Sequence, residues 1–493
     1  MSFLTNSPPS VGTKAVSPPT GKLRGECLNF WEVLAQAIAL ISPTMTAALI
    51  VPLMFGTAGT AGWLAFAFGT VMLLFVAFNL NQFARRFTTS GSMYEYTTRA
   101  MGKTGGGLIG WCLIWSYMFI GTAGMTGFTN FATVLLGMMH VHLPPIALFV
   151  VCAGACWVLA YKDIQLSTIL MLVLEGLSML LILGLAAMVL FHHGLPIDKS
   201  QILLKGSSLS NIGMGVVIAI FSLVGFECAT AFGDEAKKPL VTIPKAVIAS
   251  LLITGIFFII VTYMEVYGTH GYKTTLDQLS APLNTLSALM GVPWLAVPIS
   301  IGAMVSFFSL ALSCINAGSR IMFPMGQQGY LPFKVGSVHD TNQTPHVAVT
   351  VMSALVFCIP AGMVLFGIKD LDAFGFAGTF GAFGFLFSYF FISVAAPMYL
   401  KKIGELTPGA MALSVIAVLL LLVPAVGSVY PVPAPPVNFF PYIFLGYFAI
   451  GVMWMLAVKS RAEVDAAAAA KQQALHYASG SISTPSLDEP APV

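Results

Sequence analysis

Charge is what this sequence has least of. Only 8% of its 493 residues are Asp, Glu, Lys or Arg, against roughly 25% in a soluble domain, too few to cover a water-exposed surface. The net charge of +3 is a weak field for a polyanion, so no nucleic-acid partner is expected. Cysteine is sparse as well. Of the seven, Cys27 precedes the first apolar run and Cys112, Cys152, Cys156, Cys228, Cys314 and Cys358 lie inside others, with no metal-ligand spacing. Small apolar packing is their expected role, and neither metal nor cofactor is expected. Gly102-Lys103-Thr104 lacks the glycine that a phosphate-binding loop needs five residues earlier, because Thr97 stands there. His140, His142, His192 and His193 fall in loops and read as exposed polar residues. No nucleophile, base and acid cluster together, and the chain is not expected to be an enzyme. The first thirty residues hold Pro8, Pro9, Pro18 and Pro19 but no leader-like apolar block, so residues 1–28 read as a disordered tail, and 461–493 as a C-terminal tail whose Ser- and Pro-rich end, from about Ser479, reads as disordered too.

What the chain does have is oil. Hydrophobic residues make up 57% of it, Phe alone accounting for 37 positions, and they come in runs. A window of about 19 residues finds twelve candidate spans, at roughly 31–56, 61–83, 106–138, 145–161, 165–191, 211–232, 243–268, 293–318, 346–367, 371–395, 409–429 and 440–458. About 20 apolar residues cross a bilayer, so the fold class is an all-α polytopic membrane protein with 12 transmembrane helices. With the amino terminus inside, eighteen of the 22 basic residues fall on the cytoplasmic side and only Lys199, Lys205, Lys273 and Lys369 outside. The positive-inside rule then places both termini in the cytoplasm, across a plasma membrane.

Two runs are interrupted. Ser42-Pro43-Thr44-Met45-Thr46-Ala47 breaks the first, and Phe221-Ser222-Leu223-Val224-Gly225-Phe226-Glu227 the sixth. In hydrocarbon each peptide group needs a partner, so unwound backbone survives only where protein, ion or ligand supplies one. Breaks five spans apart are what a five-plus-five inverted repeat produces, with substrate bound near the midplane between them. The repeats would cover about 31–191 and 211–395, with two extra helices at about 409–458. Half-helix N-termini favour an anion and half-helix C-termini a cation. Thr44, Met45, Thr46 and Ala47 could therefore receive a carboxylate, and carbonyls near Phe221 and Ser222 an ammonium; a simple packing kink is the alternative.

Several motifs carry a family resemblance. Gly225-Phe226-Glu227 followed by Gly233-Asp234-Glu235-Ala236-Lys237-Lys238-Pro239 and Ile243-Pro244-Lys245-Ala246, the stretch Ser90-Gly91-Ser92-Met93-Tyr94-Glu95-Tyr96 with Gly102, and Ser319-Arg320-Ile321-Met322 through Gly329-Tyr330-Leu331-Pro332 are similar to the amino acid-polyamine-organocation (APC) transporters over about residues 28–460. The resemblance implies the LeuT-type inverted repeat, with spans one, two, six and seven rocking against a scaffold that includes three, four, eight and nine. It also implies an aromatic lid at Phe221 and an inner gate around Asp234 and Glu235, with Arg85, Arg86 or Arg320 as partners. Family members commonly break the first helix with a Gly-Ser-Gly or Gly-Thr-Gly motif. Here Pro43 serves instead, since proline lacks the N–H and clashes with the preceding turn.

Further groups have more than one reading each. Glu227, past the second break, either contacts a substrate amine, carries a proton or braces the unwound segment; a carboxylate at this depth costs roughly 2.5–3.5 kcal/mol on insertion scales and has to be paired or protonated. Glu175, alone in the middle of span five, is a titrating group or an acid hydrogen-bonded between helices. Ser306, Ser309 and Ser313 share one face of span eight and either line the pathway, with sodium as an option, or bond to carbonyls one turn back. Gly375, Gly378, Gly381 and Gly384 form a strip on span ten suited to close helix approach or, as a second reading, to a moving gate. The expected function is a secondary active transporter importing an amino acid or related amine, driven by protons, with sodium, an exchanger or facilitator, and a transporter-like nutrient receptor as the alternatives.

Overall fold

The computed structural model describes residues 23–192, 197–279, 281–430 and 432–458. His193 and most of both tails lie outside these residues. Among the described residues eleven helical segments are long and apolar enough to cross a membrane. The first, Phe30–Ala84, is 55 residues long, about twice what a bilayer needs, and it turns at Gly59–Ala61. It is two spans, which makes twelve crossings.

Span one starts at an Asn29 capping box, in which Asn29 Oδ1 accepts from the Trp31 and Glu32 N–H groups and Glu32 accepts from the Asn29 N–H. It consists of Phe30–Ile41, a short piece Pro43–Met45, a π turn Thr46–Ile50 and Val51–Ala58. Span two is Gly62–Ala84, span three Ser92–Met138, span four Pro145–Lys162 and span five Ile164–His192. Span six divides into Leu209–Leu223 and a 3-10 segment Phe226–Phe232; span seven is Pro239–Gly268. A short helix, Pro282–Leu289, precedes span eight, Ala296–Gln327. Spans nine to twelve are His346–Leu365, Asp370–Lys402, Pro408–Gly427 and Val437–Val458.

Spans three, eight and ten outrun their apolar stretches by a turn or more. Their added turns carry polar residues such as Ser92 and Gln327, which hydropathy cannot see. Span three bends at Gly102, whose φ of 82° interrupts the helix. Spans three and ten form the central contact of the molecule, and the glycine strip explains part of it. A Cβ on Gly381 would stand 2.6 Å from Ile120 Cγ1, and one on Gly384 would stand 2.5 Å from the Cys112 carbonyl oxygen. Without side chains there, the two helices approach close enough for dispersion contacts to accumulate. Span twelve closes on this pair through rings, with Trp115 among Phe119, Phe380, Phe444 and Tyr447.

Ahead of span one, Leu23, Cys27 and Leu28 are buried. The Leu28 N–H donates to the Glu235 carbonyl at 2.9 Å, and the Lys237 N–H to the Leu28 carbonyl at 2.7 Å. The chain after span six thus supplies the backbone partners that a lone tail lacks.

Candidate functional site

Pro43 is the origin of the first break. It has no N–H for the carbonyl one turn back, and the residue before a proline is disfavoured in the helical region. Ser42 accordingly adopts a left-handed conformation, φ 51° and ψ 71°. The helix restarts at Pro43, whose missing N–H costs nothing at a first position, and the free N–H groups of the new turn need acceptors. The Thr44 N–H and Oγ1 both donate to Glu175 Oε1, each at 3.3 Å. The carboxyl from the middle of span five therefore caps the half-helix inside span one. Ser42 Oγ lies 3.0 Å from Ser306 Oγ on span eight. The π turn then leaves Thr46 Oγ1 buried without a partner, while Met45 and Ala47 pack into the core.

The second break lies at Val224–Gly225. Val224 is extended and Gly225 has a φ of 111°, after which the chain winds as a tight 3-10 helix. A Cβ on Gly225 would stand 2.1 Å from Leu40 Cδ2 and 3.3 Å from the Leu40 carbonyl carbon, so the breaks of spans one and six lie directly against one another. Glu227 folds back over its own break. Its Oε2 accepts from the Gly225 N–H at 3.0 Å and from Tyr389 Oη at 2.5 Å, and its Oε1 accepts from Tyr117 Oη at 3.2 Å. This geometry is that of a brace joining spans three, six and ten. Ser222 Oγ donates to the Ile218 carbonyl one turn back.

The span eight serines face span one. Ser313 Oγ donates to the Gln36 carbonyl at 2.8 Å and lies 3.9 Å from Cys228 Sγ on the 3-10 segment. Ser309 Oγ, buried one turn earlier, has no partner, and neither do Gln36 Nε2 and Glu175 Oε2. Such groups are normally satisfied; here Gln36 and Thr46 lie on the segments either side of the first break, Glu175 on span five and Ser309 on span eight. Phe221 stands at the other end. Its ring occupies the space a side chain on Gly378 would take, 2.1 Å from a Cβ built there, and lies 6.4 Å from Phe374, which in turn meets Phe307 at 5.8 Å.

At the face carrying residue 23, Glu235 and Arg320 form a buried two-point pair, Nε to Oε2 at 2.5 Å and Nη2 to Oε1 at 2.7 Å, with both side chains 0% exposed. The guanidinium also lies 4.9 Å over the Phe232 ring. Of the three candidate arginines only Arg320 joins this network, since Arg86 pairs with Glu405. Asp234 Oδ2 accepts from the Ser90 N–H at 3.1 Å. Tyr94 and Tyr96 are buried: Tyr94 Oη donates to Gln328 Oε1, and Tyr96 stacks on Phe83.

Three participants escape the sequence reading. Tyr117 and Tyr389 are 110 and 162 residues from Glu227, and no local pattern connects them. Glu265 on span seven did carry a signal, the lone acid in an apolar run that marks Glu175. It is 1% exposed, has no partner for either carboxyl oxygen, and packs among Ile182, Leu185, Leu283 and Leu286.

Comparison with known proteins agrees with this architecture. The chain is 25% identical over 311 residues to the branched-chain amino acid permease BcaP of Bacillus subtilis, covering 59% of this chain and 65% of that protein. It is 24% identical over 305 residues to the low-affinity putrescine importer PlaP of Escherichia coli, again covering 59% and 65%. The matched stretch thus spans just under two thirds of either relative. A solved Na+-coupled sialic acid symporter in a substrate-bound outward-open state superposes with a TM-score of 0.51 at 13% identity, covering 83% of this chain and 91% of that one, which shows a shared LeuT-type fold and nothing finer. The amino acid permease family model matches residues 32–465. With that match across most of its length, the chain belongs to the amino acid permease family of the APC superfamily.

Proposed function

We propose that this protein is a secondary active transporter that imports an amino acid or related amine across the plasma membrane, with both termini cytoplasmic. The carrying observation is the contact between Thr44 and Glu175 at the first break. A free half-helix N-terminus favours an anion, and Glu175 occupies that place with one oxygen while the other has no donor. A substrate carboxylate and the Glu175 carboxylate compete for the same N–H. Protonating Glu175 weakens its hold on Thr44 and removes a like charge from the site, so substrate and proton bind together. The substrate's ammonium then faces the carbonyl end of Leu209–Leu223, beside Phe221 and Ser222, and Ser306, Ser309 and Ser313 line the same passage.

The contacts at each end support alternating access. The Glu235–Arg320 pair with Asp234 closes the cytoplasmic side, and Phe221 with Phe374 closes the other. Spans one, two, six and seven rock against the rest, and Glu227 keeps the second break intact while they do. One positive charge moved inward gains about 2.3 kcal/mol per 100 mV, which the membrane potential supplies to proton-coupled uptake.

The test is labelled uptake into proteoliposomes with proton and sodium gradients imposed separately, after a thermal-shift screen of amino acids and amines chooses the solute. Uptake that follows an inward proton gradient and ignores sodium supports the reading. Uptake that needs only internal substrate favours an exchanger, and uptake that needs sodium removes Glu175 from the coupling role.

A further inference from the structure

The membrane-facing surface carries a groove remote from both breaks. It has a volume of 690 Å³ and lies where the start of span one, the end of span two and the first turns of span seven meet, with Phe30, Phe78 and Arg85 on one side and Pro244, Lys245 and Ile248 on the other. The two helices are built alike here. Each places a cation at its end nearest the face carrying residue 23 and a large apolar side chain seven residues deeper, Arg85 with Phe78 and Lys245 with Leu252. Seven residues are two helical turns, about 10 Å. Phe78 and Leu252 are exposed.

The cations set this groove apart from an ordinary lipid-facing seam. Three other arginines have carboxylate partners, Arg24 with Asp163, Arg86 with Glu405 and Arg320 with Glu235, and Arg99 lies over the Phe87 ring. Among the described residues Arg85 and Lys245 form no ion pair, and no acidic side chain lines the groove. A zwitterionic phospholipid would use the wall, but its own ammonium already balances its phosphate and leaves the two cations without a net counter-charge. A soluble anion would use the charges and leave the wall empty. An amphiphile with a phosphate head and hydrocarbon tails uses both.

We propose that this groove binds one anionic phospholipid of the adjacent leaflet, its phosphate ester lying between Arg85 and Lys245 and an acyl chain running along Phe78, Ile248 and Leu252. Basic residues at a membrane surface attract anionic headgroups, and here the chain also supplies a fitted wall for the tail.

The experiment is native mass spectrometry of the delipidated full-length protein, titrated with dioleoyl phosphatidylglycerol, dioleoyl phosphatidylcholine or glycerol phosphate. The expected result is tight retention of phosphatidylglycerol, retention of phosphatidylcholine at least tenfold weaker, and no displacement by glycerol phosphate. R85Q/K245Q should weaken phosphatidylglycerol retention by roughly thirtyfold and leave phosphatidylcholine unchanged. Ala249→Trp, which fills the groove and keeps both charges, should block retention of the phospholipid too. Equal retention of the two lipids by the wild type, wild-type-like phosphatidylglycerol retention by either folded variant, or displacement by glycerol phosphate would each overturn the proposal. If the double variant fails to fold, the Ala249→Trp result decides.

Discussion

Gly225 and Leu40 meet so closely that a side-chain carbon on the glycine would overlap Leu40 Cδ2 at 2.1 Å. That contact holds the break of span six against the last turn before the break of span one, and the left-handed backbone at Gly225 makes it hard to replace. Gly225→Ala should cost roughly 1–2 kcal/mol for the backbone and about 1–3 kcal/mol more for the overlap. A lowered melting temperature together with strongly reduced uptake is expected; wild-type values in both would mean that the two breaks separate without consequence.

Glu227 accepts three hydrogen bonds. Glu227→Gln turns one acceptor oxygen into a donor facing other donors, and a hydrogen bond to a charged group is worth about 1.5–3 kcal/mol. Uptake should fall about tenfold or more. Thr46→Ala should impair uptake as well, whereas the surface change Lys273→Ala should leave it near normal. Comparable rates for all three in the same vesicles would remove these residues from the site.

Glu175→Gln tests the competition for Thr44. In the wild type, raising the pH ionises Glu175, strengthens its hold on the Thr44 N–H and slows uptake; lowering the pH reverses this. A glutamine stays neutral at every pH, so the variant should transport with a flat pH profile. A profile that still bends like the wild type's would move the titrating group elsewhere.

The Glu235–Arg320 pair is buried on both sides. Removing one partner leaves an unmatched charge and costs about 3–5 kcal/mol, whereas replacing both with apolar residues is often close to neutral. Arg320→Met should destabilise the protein strongly and Arg320→Met with Glu235→Leu much less, read by thermal unfolding. Additive losses in the double variant would show that the two side chains are not coupled.

Asp198 lies in the segment before span six. Burial pushes its carboxyl up, but donors from Ser200 and Gln201 outweigh this and hold it below the usual carboxylate range. A depressed value means that the ionised form stabilises the fold at pH above the unfolded carboxyl's pKa of about 3.9, and that this stability is lost as the pH falls through the folded value. Asp198→Asn should lower the melting temperature at pH 7 and narrow the gap to wild type as the solution is acidified. A gap independent of pH would argue against this role.

The parts of the site written in local chemistry were legible from the chain. Pro43 in one apolar run and Gly225 in another mark the breaks because each alters what its own backbone can do. Glu175 and Glu227 stand out because an acid among Leu and Phe needs an explanation. Partnership was not legible. Thr44 is 131 residues from Glu175, and only the packed bundle shows that this carboxyl takes up the N–H offered by the first break. The choice of Arg320 over Arg85 and Arg86 is likewise a matter of which helix faces Glu235. Glu265 differs, because the same criterion that selects Glu175 selects it, and the long apolar run around it carries no break to draw attention there.

The reciprocal pair of backbone bonds joining Leu28 to Glu235 and Lys237 ties the lead-in of one broken helix to the exit of the other. Main-chain atoms alone make this clasp, so side-chain drift at these positions leaves it intact, and proline at 28 or 237 would undo it. The two broken helices are yoked at that face: neither swings aside without either carrying the other along or first parting the clasp.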